Sequence, residues 1–136
     1  MRLVVLIGLL LLVPITALLP QYDVPAAAST LQNGFVEDPP ITGVTRPIAF
    51  DWTPDGRLLV GQDNGQLRVV KNDTALSTPA LSLAVSTESE RGLLGVAIDP
   101  QFTNRPYVYL YYTTGPGSRN YSGAPKNRIS RFTLDG

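Results

Sequence analysis

The chain has 136 residues, and its 11 basic and 11 acidic side chains cancel to a net charge of zero. This balance gives no electrostatic reason to expect nucleic acid or an anionic membrane surface as a partner. The sequence has no cysteine, which excludes disulfides and thiolate metal sites. It also has no histidine, so the commonest general base and the commonest neutral metal ligand are absent.

Residues 1–28 have the three parts of a secretory signal peptide. Arg2 gives a positive start, residues 3–19 form an apolar run, and Ala26-Ala27-Ala28 supplies the small residues that precede a cleavage site. We therefore predict a signal helix, cleavage after Ala28 and export to the periplasm or the cell exterior, with no membrane contact afterwards. The alternative is an uncleaved anchor at residues 3–19, although this run is near the short limit for a membrane span.

Residues 29–47 are predicted to form an irregular lead segment ahead of the folded domain. Pro39, Pro40 and Pro47 interrupt this stretch, and few of its apolar positions are periodic. Removal of the signal leaves about 108 residues, the size of one small domain.

The sequence of residues 48–71 predicts three short strands joined by tight turns. The first strand, residues 48–52, ends at Thr53-Pro54-Asp55-Gly56, where the spacing of Pro and Gly suits a type I turn. The second, residues 58–60, leads to Asp63-Asn64-Gly65, in which Asn-Gly is a strong hairpin signal. The third, residues 66–71, alternates polar and apolar positions as a half-exposed strand does.

The same pattern recurs about 48 positions later. Ile48-Ala49-Phe50-Asp51 is echoed by Val96-Ala97-Ile98-Asp99, and both copies continue into a Pro-containing turn and an apolar strand. The later copy then has strands at residues 107–113 and 127–133. A repeat of roughly 40–50 residues made of short strands is typical of β-propeller blades. We predict an all-β fold of about two blades, and the alternative is a β-sandwich that contains two similar meanders.

The two predicted blades are expected to belong to a longer ring. Propellers close with about four to eight blades, each packed on its neighbours. The final Asp135-Gly136 is a turn signal that is expected to lead into another strand. We therefore interpret residues 48–136 as the incomplete N-terminal blades of a propeller. Residues 114–126, rich in Gly, Pro, Ser and Asn, form an insertion in the second blade, where propellers often place binding loops.

The strand at residues 107–113 has two different faces. Three tyrosines share one face, and two aliphatic residues and a tyrosine share the other: Tyr107, Tyr109 and Tyr111 against Val108, Leu110 and Tyr112. We expect both faces to pack in the core or between blades, and sugar stacking by one of the first three tyrosines is the alternative.

The most specific similarity to a known family lies in two blocks, Glu90-Arg91-Gly92-Leu93-Leu94-Gly95-Val96-Ala97-Ile98-Asp99-Pro100-Gln101-Phe102 and Tyr107-Val108-Tyr109-Leu110-Tyr111-Tyr112-Thr113. With residues 54–60, 65–70 and 127–132, they resemble the glucose/sorbosone dehydrogenase family over nearly all of residues 34–136. The resemblance implies a six-bladed propeller that binds pyrroloquinoline quinone (PQQ), usually with calcium. It also implies oxidation of an aldose at its anomeric carbon and transfer of electrons to an external acceptor.

The resemblance points to two candidate site residues in this chain. Glu90 stands where the family has a polar side chain that faces the sugar and the quinone, and we expect it to bind substrate; a solvated loop carboxylate is the alternative. The best-known glucose enzyme has an amide at this position, so an acceptor-only carboxylate here alters the expected sugar preference. For Arg91 we consider contact with the cofactor carboxylates, pairing with Glu90, or a structural salt bridge.

The family's catalytic histidine, its quinone-binding Lys and Arg, and its calcium ligands lie in later blades. We therefore assign no catalytic residue and no metal ligand to this chain, and we expect residues 1–136 alone to be inactive. One alternative function is a non-catalytic exported propeller that binds a protein or a glycan. Another is a short product that pairs with other chains, for example as a homodimer, to complete a ring.

Overall fold

The computed structural model describes residues 30–135, and their regular structure consists of β-strands. The predicted signal helix and cleavage site lie outside the described residues. No helix within residues 30–135 is long and apolar enough to cross a membrane. The chain divides after Glu37 into two compact units, and every strand belongs to the unit that begins at Asp38.

The first sheet is an antiparallel meander. β1 (Pro47–Trp52) pairs with β2 (Leu58–Gln62), and β2 pairs with β3 (Gln66–Lys71). Two further strands, which the sequence pattern did not predict, are β4 (Thr74–Ala75) and β5 (Leu81–Ser82). Both pair with β3, so together they form an interrupted fourth strand at the outer edge of the blade.

The second sheet repeats this arrangement. β6 (Leu93–Ile98), β7 (Tyr107–Thr113) and β8 (Asn127–Thr133) follow one another as an antiparallel meander. The strands predicted at 107–113 and 127–133 have the observed bounds. The alternation predicted for β7 is also confirmed, because Val108, Leu110 and Tyr112 are buried.

An apolar core joins the two sheets. Its buried side chains come from both meanders and from the turn after β6: Leu59, Leu67, Val69, Leu93, Phe102, Val108, Leu110 and Tyr112. Leu59, Leu93 and Leu110 are completely inaccessible to solvent. Full burial of such a side chain contributes about 1.5–3 kcal/mol. The two meanders are therefore packed face to face, as neighbouring blades are.

The opposite face of the first sheet is covered by the segment that precedes β1. Ile41 and Val44 from this segment pack on a second core, formed by Leu58, Val60, Val70 and Ala75. The backbone is bound there as well, because Ala75 N–H donates to the carbonyl of Thr42 at 2.9 Å. The lead segment thus covers the part of this face that β2, β3 and β4 form, and it has no strand of its own before Pro47.

Apolar side chains remain exposed on both flanks of the pair of sheets. On β1, Ile48, Phe50 and Trp52 are each more than half exposed. On the far face of the second sheet, Tyr111 and Ile129 are 38 % and 71 % exposed. The two sheets thus bury one shared core, and apolar side chains remain exposed along β1 on one side and on the far face of the second sheet.

A side chain also links the first strands of the two sheets. Asp51 Oδ2 accepts a hydrogen bond from the Ile98 N–H at 2.8 Å, and its Oδ1 accepts one from the Trp52 N–H at 2.8 Å. The acceptor is supplied by β1 and the donor by β6. This bond fixes the position of β6 relative to β1.

Carboxylates form hydrogen bonds and ion pairs in the turns that follow β1 and β6. Asp55 pairs with Arg57 at 2.8 Å and accepts a hydrogen bond from the Thr53 hydroxyl. These interactions, led by the Arg57 hydrogen bond, lower the pKa of Asp55 from 3.8 to about 2.

Asp99 has the corresponding role in the second blade. Its carboxylate accepts hydrogen bonds from the Gln101 N–H at 2.8 Å and from the Tyr109 hydroxyl at 3.0 Å, and it lies 3.4 Å from the Arg105 guanidinium. The Gln101 N–H in the first place, and then Tyr109 and Arg105, lower the pKa of Asp99. The bond to Asp99 in turn raises the pKa of Tyr109.

We predict that acid destabilises the protein through these turns. Because the pKa values of Asp55 and Asp99 are lower in the folded state than in the unfolded chain, their stabilisation is complete above the unfolded value of 3.8. It is lost as the pH falls toward the folded values, about 2 for Asp55. The measurement is the free energy of unfolding of the purified protein between pH 5 and about pH 2.

The Asp99→Asn variant should be less stable than wild type at pH 5, and its stability should fall less in acid. Asp38→Asn is the matched control, because the exposed Asp38 carboxylate has no hydrogen bond or ion pair within residues 30–135. Parallel acid curves for wild type and Asp99→Asn would contradict the prediction.

Candidate functional site

Glu90, Arg91 and the insertion lie at the same end of the two sheets. At this end β1, β3, β6 and β8 begin, and β2 and β7 end. We call it the loop end, and it consists of residues 44–46, 62–65, 83–92 and 114–126. The turns that contain Asp55 and Asp99 lie at the opposite end.

A chain of backbone hydrogen bonds crosses the loop end from the first sheet to the second. The Asp63 N–H donates to the Arg46 carbonyl and the Leu93 N–H donates to the Asp63 carbonyl, both at 3.3 Å. The Thr113 N–H then donates to the Gly92 carbonyl at 2.9 Å, and the Ser86 N–H to the Thr113 carbonyl at 3.0 Å. These bonds join the start of β6 to the loop that precedes it, to the turn between β2 and β3 and to the end of β7, and we call this arrangement the platform.

Two glycines allow the backbones in this platform to approach closely. Gly65, in the predicted Asn-Gly hairpin turn, has φ +90°, and a Cβ there would lie 2.3 Å from the Leu83 carbonyl oxygen. Gly92 has φ +140°, and its Cβ would lie 2.4 Å from the Asp63 carbonyl oxygen. Since real Cβ atoms do not occupy such positions, side chains are excluded at both sites.

Polar side chains add to the platform on the side of the lead segment. Asp63 is largely buried, with 9 % of its side chain exposed, and it forms an ion pair with Arg46, whose side chain is 78 % exposed. The Gln62 amide donates to the Thr45 carbonyl at 2.6 Å. Sequence reasoning treated Asp63 only as a turn residue and gave no role to Arg46. No local pattern marks this pair, because its members come from separate segments.

A tight turn presents Glu90 on this platform. The Arg91 N–H donates to the Glu88 carbonyl at 3.3 Å, and Arg91 Nη1 lies 3.0 Å from Glu88 Oε2. Ser89, between them, has φ +56°. Of the arrangements considered for Arg91, the structure therefore shows a salt bridge, and its partner is Glu88 rather than Glu90.

The turn leaves two groups available to a ligand. The exposed Glu90 carboxylate has no hydrogen bond or ion pair within residues 30–135. Arg91 uses Nη1 for Glu88, but 41 % of its side chain is exposed and further N–H donors remain. The arrangement thus offers an acceptor and a cationic donor side by side. Among residues 30–135 there is no cluster of three or more acidic side chains that would hold a metal ion.

Comparison with known sequences identifies the family. The model of the glucose/sorbosone dehydrogenase family matches residues 44–136, which include both sheets and the loop end. The chain belongs to the glucose/sorbosone dehydrogenase family. It is also 32 % identical over 108 residues to an uncharacterized protein from Synechocystis sp., a match that covers 72 % of this chain and 25 % of that protein.

Solved structures agree with this assignment. An oxidoreductase from Thermus thermophilus, described as a glucose dehydrogenase, is 31 % identical with a TM-score of 0.59, and the match covers 69 % of this chain and 26 % of that one. The PQQ-bound aldose sugar dehydrogenase from Streptomyces coelicolor is 31 % identical with a TM-score of 0.53, covering 65 % and 25 %. The predicted all-β, partial propeller fold is confirmed. The chain described here spans about a quarter of the length of these relatives.

We predict that the free energy of unfolding depends on the close approach of the Leu83 backbone to Gly65. The variants Gly65→Ala and Gly56→Ala are a matched pair, because both glycines lie in turns with φ near +90° but only Gly65 has a neighbour in the way. Gly56→Ala should cost about 1–2 kcal/mol for the left-handed backbone alone. Gly65→Ala should cost roughly 3 kcal/mol or more, because the Leu83 backbone must also move.

Urea denaturation of the two variants and of wild type measures this difference. Equal losses of unfolding free energy in Gly65→Ala and Gly56→Ala would show that the Leu83 contact is not a constraint.

Proposed function

We propose that this chain is the N-terminal part of an exported, quinone-dependent sugar dehydrogenase that oxidises an aldose at C1 with PQQ as electron acceptor. The observation that carries the proposal is the family match over residues 44–136, together with the likeness to a structure solved with PQQ bound. The signal-like residues 1–28 support export. Calcium and an external electron acceptor are part of the proposal for the complete protein.

The exposed flanks support a longer propeller. The faces that carry Phe50 and Ile129 are apolar and of the kind that blades bury against their neighbours. Exposed patches of this kind mark interaction surfaces in soluble proteins. We infer that further blades of the same polypeptide cover them, and that these blades supply the proton acceptor and the metal ligands.

The residues present at the loop end fit one edge of a quinone and sugar site. The exposed N–H donors of Arg91 suit a carboxylate of PQQ, since guanidinium and carboxylate match in charge and geometry. Bound PQQ supplies the two-electron acceptor for the hydride that leaves the sugar carbon. Glu90 accepts hydrogen bonds from sugar hydroxyls and so orients the ring. Glu88 holds Arg91 in place and orients it.

The test uses the full-length protein, the complete polypeptide that contains residues 1–136, collected from the exported fraction. Supplied with PQQ and calcium, it should reduce an electron-accepting dye when an aldose is added, and omission of PQQ should abolish the reduction. N-terminal sequencing should begin at Ser29. Absence of dye reduction with every aldose tried would refute the dehydrogenase, and absence of PQQ binding as well would favour a non-catalytic binding propeller.

We also predict that Glu90 sets sugar preference. The Glu90→Gln variant replaces an acceptor-only group with an amide that also donates hydrogen bonds. The ratio of kcat/KM values between two aldoses that differ at one hydroxyl should change about tenfold, the size expected for a hydrogen bond to a charged group.

Glu88→Gln is the matched control, because it makes the same change of charge in the same turn at a side chain paired with Arg91. This variant should leave the ratio unchanged. An unchanged ratio in Glu90→Gln, or an equal change in both variants, would remove Glu90 from the substrate site.

A further inference from the structure

Glu90 lies in a short loop, residues 86–92, whose two ends are bound to the same residue of β7. The Ser86 N–H donates to the Thr113 carbonyl at 3.0 Å, and the Thr113 N–H donates to the Gly92 carbonyl at 2.9 Å. Thr113 is 4 % exposed, and its hydroxyl donates to the Asn127 amide oxygen at 2.9 Å. We call residues 86–92 the Glu90 loop. Both of its ends are therefore fixed to the end of β7.

The insertion extends this contact to the residues just before the Glu90 loop. Thr114, the first residue of the insertion, is buried and forms an antiparallel bridge with Val85. Beside this bridge, the next groups that face each other in an antiparallel pair are the Gly115 N–H and the Ala84 carbonyl. The Ser118 hydroxyl joins them, because it accepts from the Gly115 N–H at 3.0 Å and donates to the Ala84 carbonyl. One hydroxyl thus binds the insertion to the segment that leads into the loop.

At Gly115 the backbone of the insertion lies directly against the backbone of this segment. A Cβ on Gly115 would lie 2.5 Å from the Val85 carbonyl carbon and 2.6 Å from the Ser86 nitrogen, distances that leave no room for a side chain. Closely packed groups transmit a displacement from one to the next. A shift of the insertion at Gly115 therefore also shifts Ser86, the first residue of the Glu90 loop.

The insertion is itself held in a defined conformation. The Thr114 N–H donates to the Lys126 carbonyl at 2.9 Å, and the Lys126 N–H donates to the Thr114 hydroxyl at 3.0 Å. The Ser118 N–H donates to the Gly115 carbonyl at 2.9 Å, which places the Ser118 side chain in a tight turn. A support that is ordered in this way orients the groups bound to it.

Glu90 has no support of its own beyond its turn. Within the described part of the chain, the hydrogen bonds of residues 84–91 to other segments go to Thr113 and to Ser118. The bonds between Arg91 and Glu88 lie inside the loop. The position of the Glu90 carboxylate therefore depends on where residues 113–118 hold the loop, together with the packing of the Val85 side chain on the shared core.

We propose that Ser118 is a positioning residue for the sugar site, and that through it the insertion determines where the Glu90 carboxylate stands relative to the substrate. The proposal rests on the sugar dehydrogenase function proposed above, and it gives the insertion a role in sugar selectivity. Hydrogen bonds weaken steeply when donor and acceptor are misaligned. A small shift of the Glu90 loop therefore changes how well the carboxylate reaches one sugar hydroxyl rather than another.

Hydrogen exchange of the full-length protein, followed by mass spectrometry on peptides that cover residues 84–92, tests whether Ser118 holds the loop. Ser118→Ala should speed exchange in these peptides about fivefold, because it removes the bonds that its hydroxyl makes. Ser122→Ala is the matched control, since the exposed Ser122 side chain lies in the same insertion and has no hydrogen bond within residues 30–135. It should leave exchange unchanged. Unaltered exchange in Ser118→Ala, or equal acceleration in both variants, overturns the proposal.

The kcat/KM ratio between two aldoses that differ at one hydroxyl tests whether Ser118 acts through Glu90. Ser118→Ala should change this ratio about threefold or more, and should change it less in a Glu90→Gln background, because the carboxylate that it displaces is then absent. No change, or an equal change in both backgrounds, shows that Ser118 does not act through Glu90 and overturns the proposal.

Gly115→Ala is a second variant, because its Cβ must displace the Val85 backbone, and it should change both readouts more than Ser118→Ala does. A folded Gly115→Ala variant with wild-type exchange and ratio overturns the proposal. If the full-length protein oxidises no aldose, the proposed function fails, and the role of Ser118 in sugar selectivity fails with it. The exchange measurement needs no activity, so it still decides whether the insertion holds the Glu90 loop.

Discussion

Leu59, Leu93 and Leu110 exclude water from the space between the two sheets, and the packing of one sheet on the other depends on this burial. Each meander alone is a small sheet with one apolar face, and isolated small sheets are barely stable in water. Packing the two faces together places the start of β6 beside the end of β2. The loop end therefore exists only because the shared core brings the two sheets together.

At the loop end, the groups that hold the backbone in place are different from the group that is exposed to solvent. The backbone is held by a continuous series of hydrogen bonds and by the close approaches at Gly65 and Gly92. The side chain of Glu90, in contrast, extends from a turn fixed by Glu88 and Arg91 and has no partner within residues 30–135. A binding group on a rigid support loses little entropy when it engages a ligand. This division is what the substrate-orienting role proposed for Glu90 requires.

Much of the fold followed from local sequence patterns. The strands at 107–113 and 127–133 were predicted with the observed bounds, because alternating side chains and flanking turn residues mark strands directly. The strands β4 and β5 were missed, since two-residue strands leave no periodic pattern and depend on pairing with β3. The pairing of Arg91 with Glu88 depends on the path of the backbone through the turn. The pairing of Arg46 with Asp63 depends on the approach of two separate segments. No spacing rule specifies those contacts.

Because the Ile98 N–H donates to Asp51, the second meander depends on an acceptor that lies in the first copy of the repeat. One copy of the sequence repeat is therefore not a complete structural unit. The second meander takes one acceptor from the Asp51 side chain and another, for the Leu93 N–H, from the Asp63 backbone. If the second meander were transplanted into another ring, or the first deleted, two donors would lose acceptors that no residue within the second meander supplies. Exchange of whole repeats between related propellers should therefore succeed only when the cut leaves Asp51 and Asp63 attached to the blade that follows them.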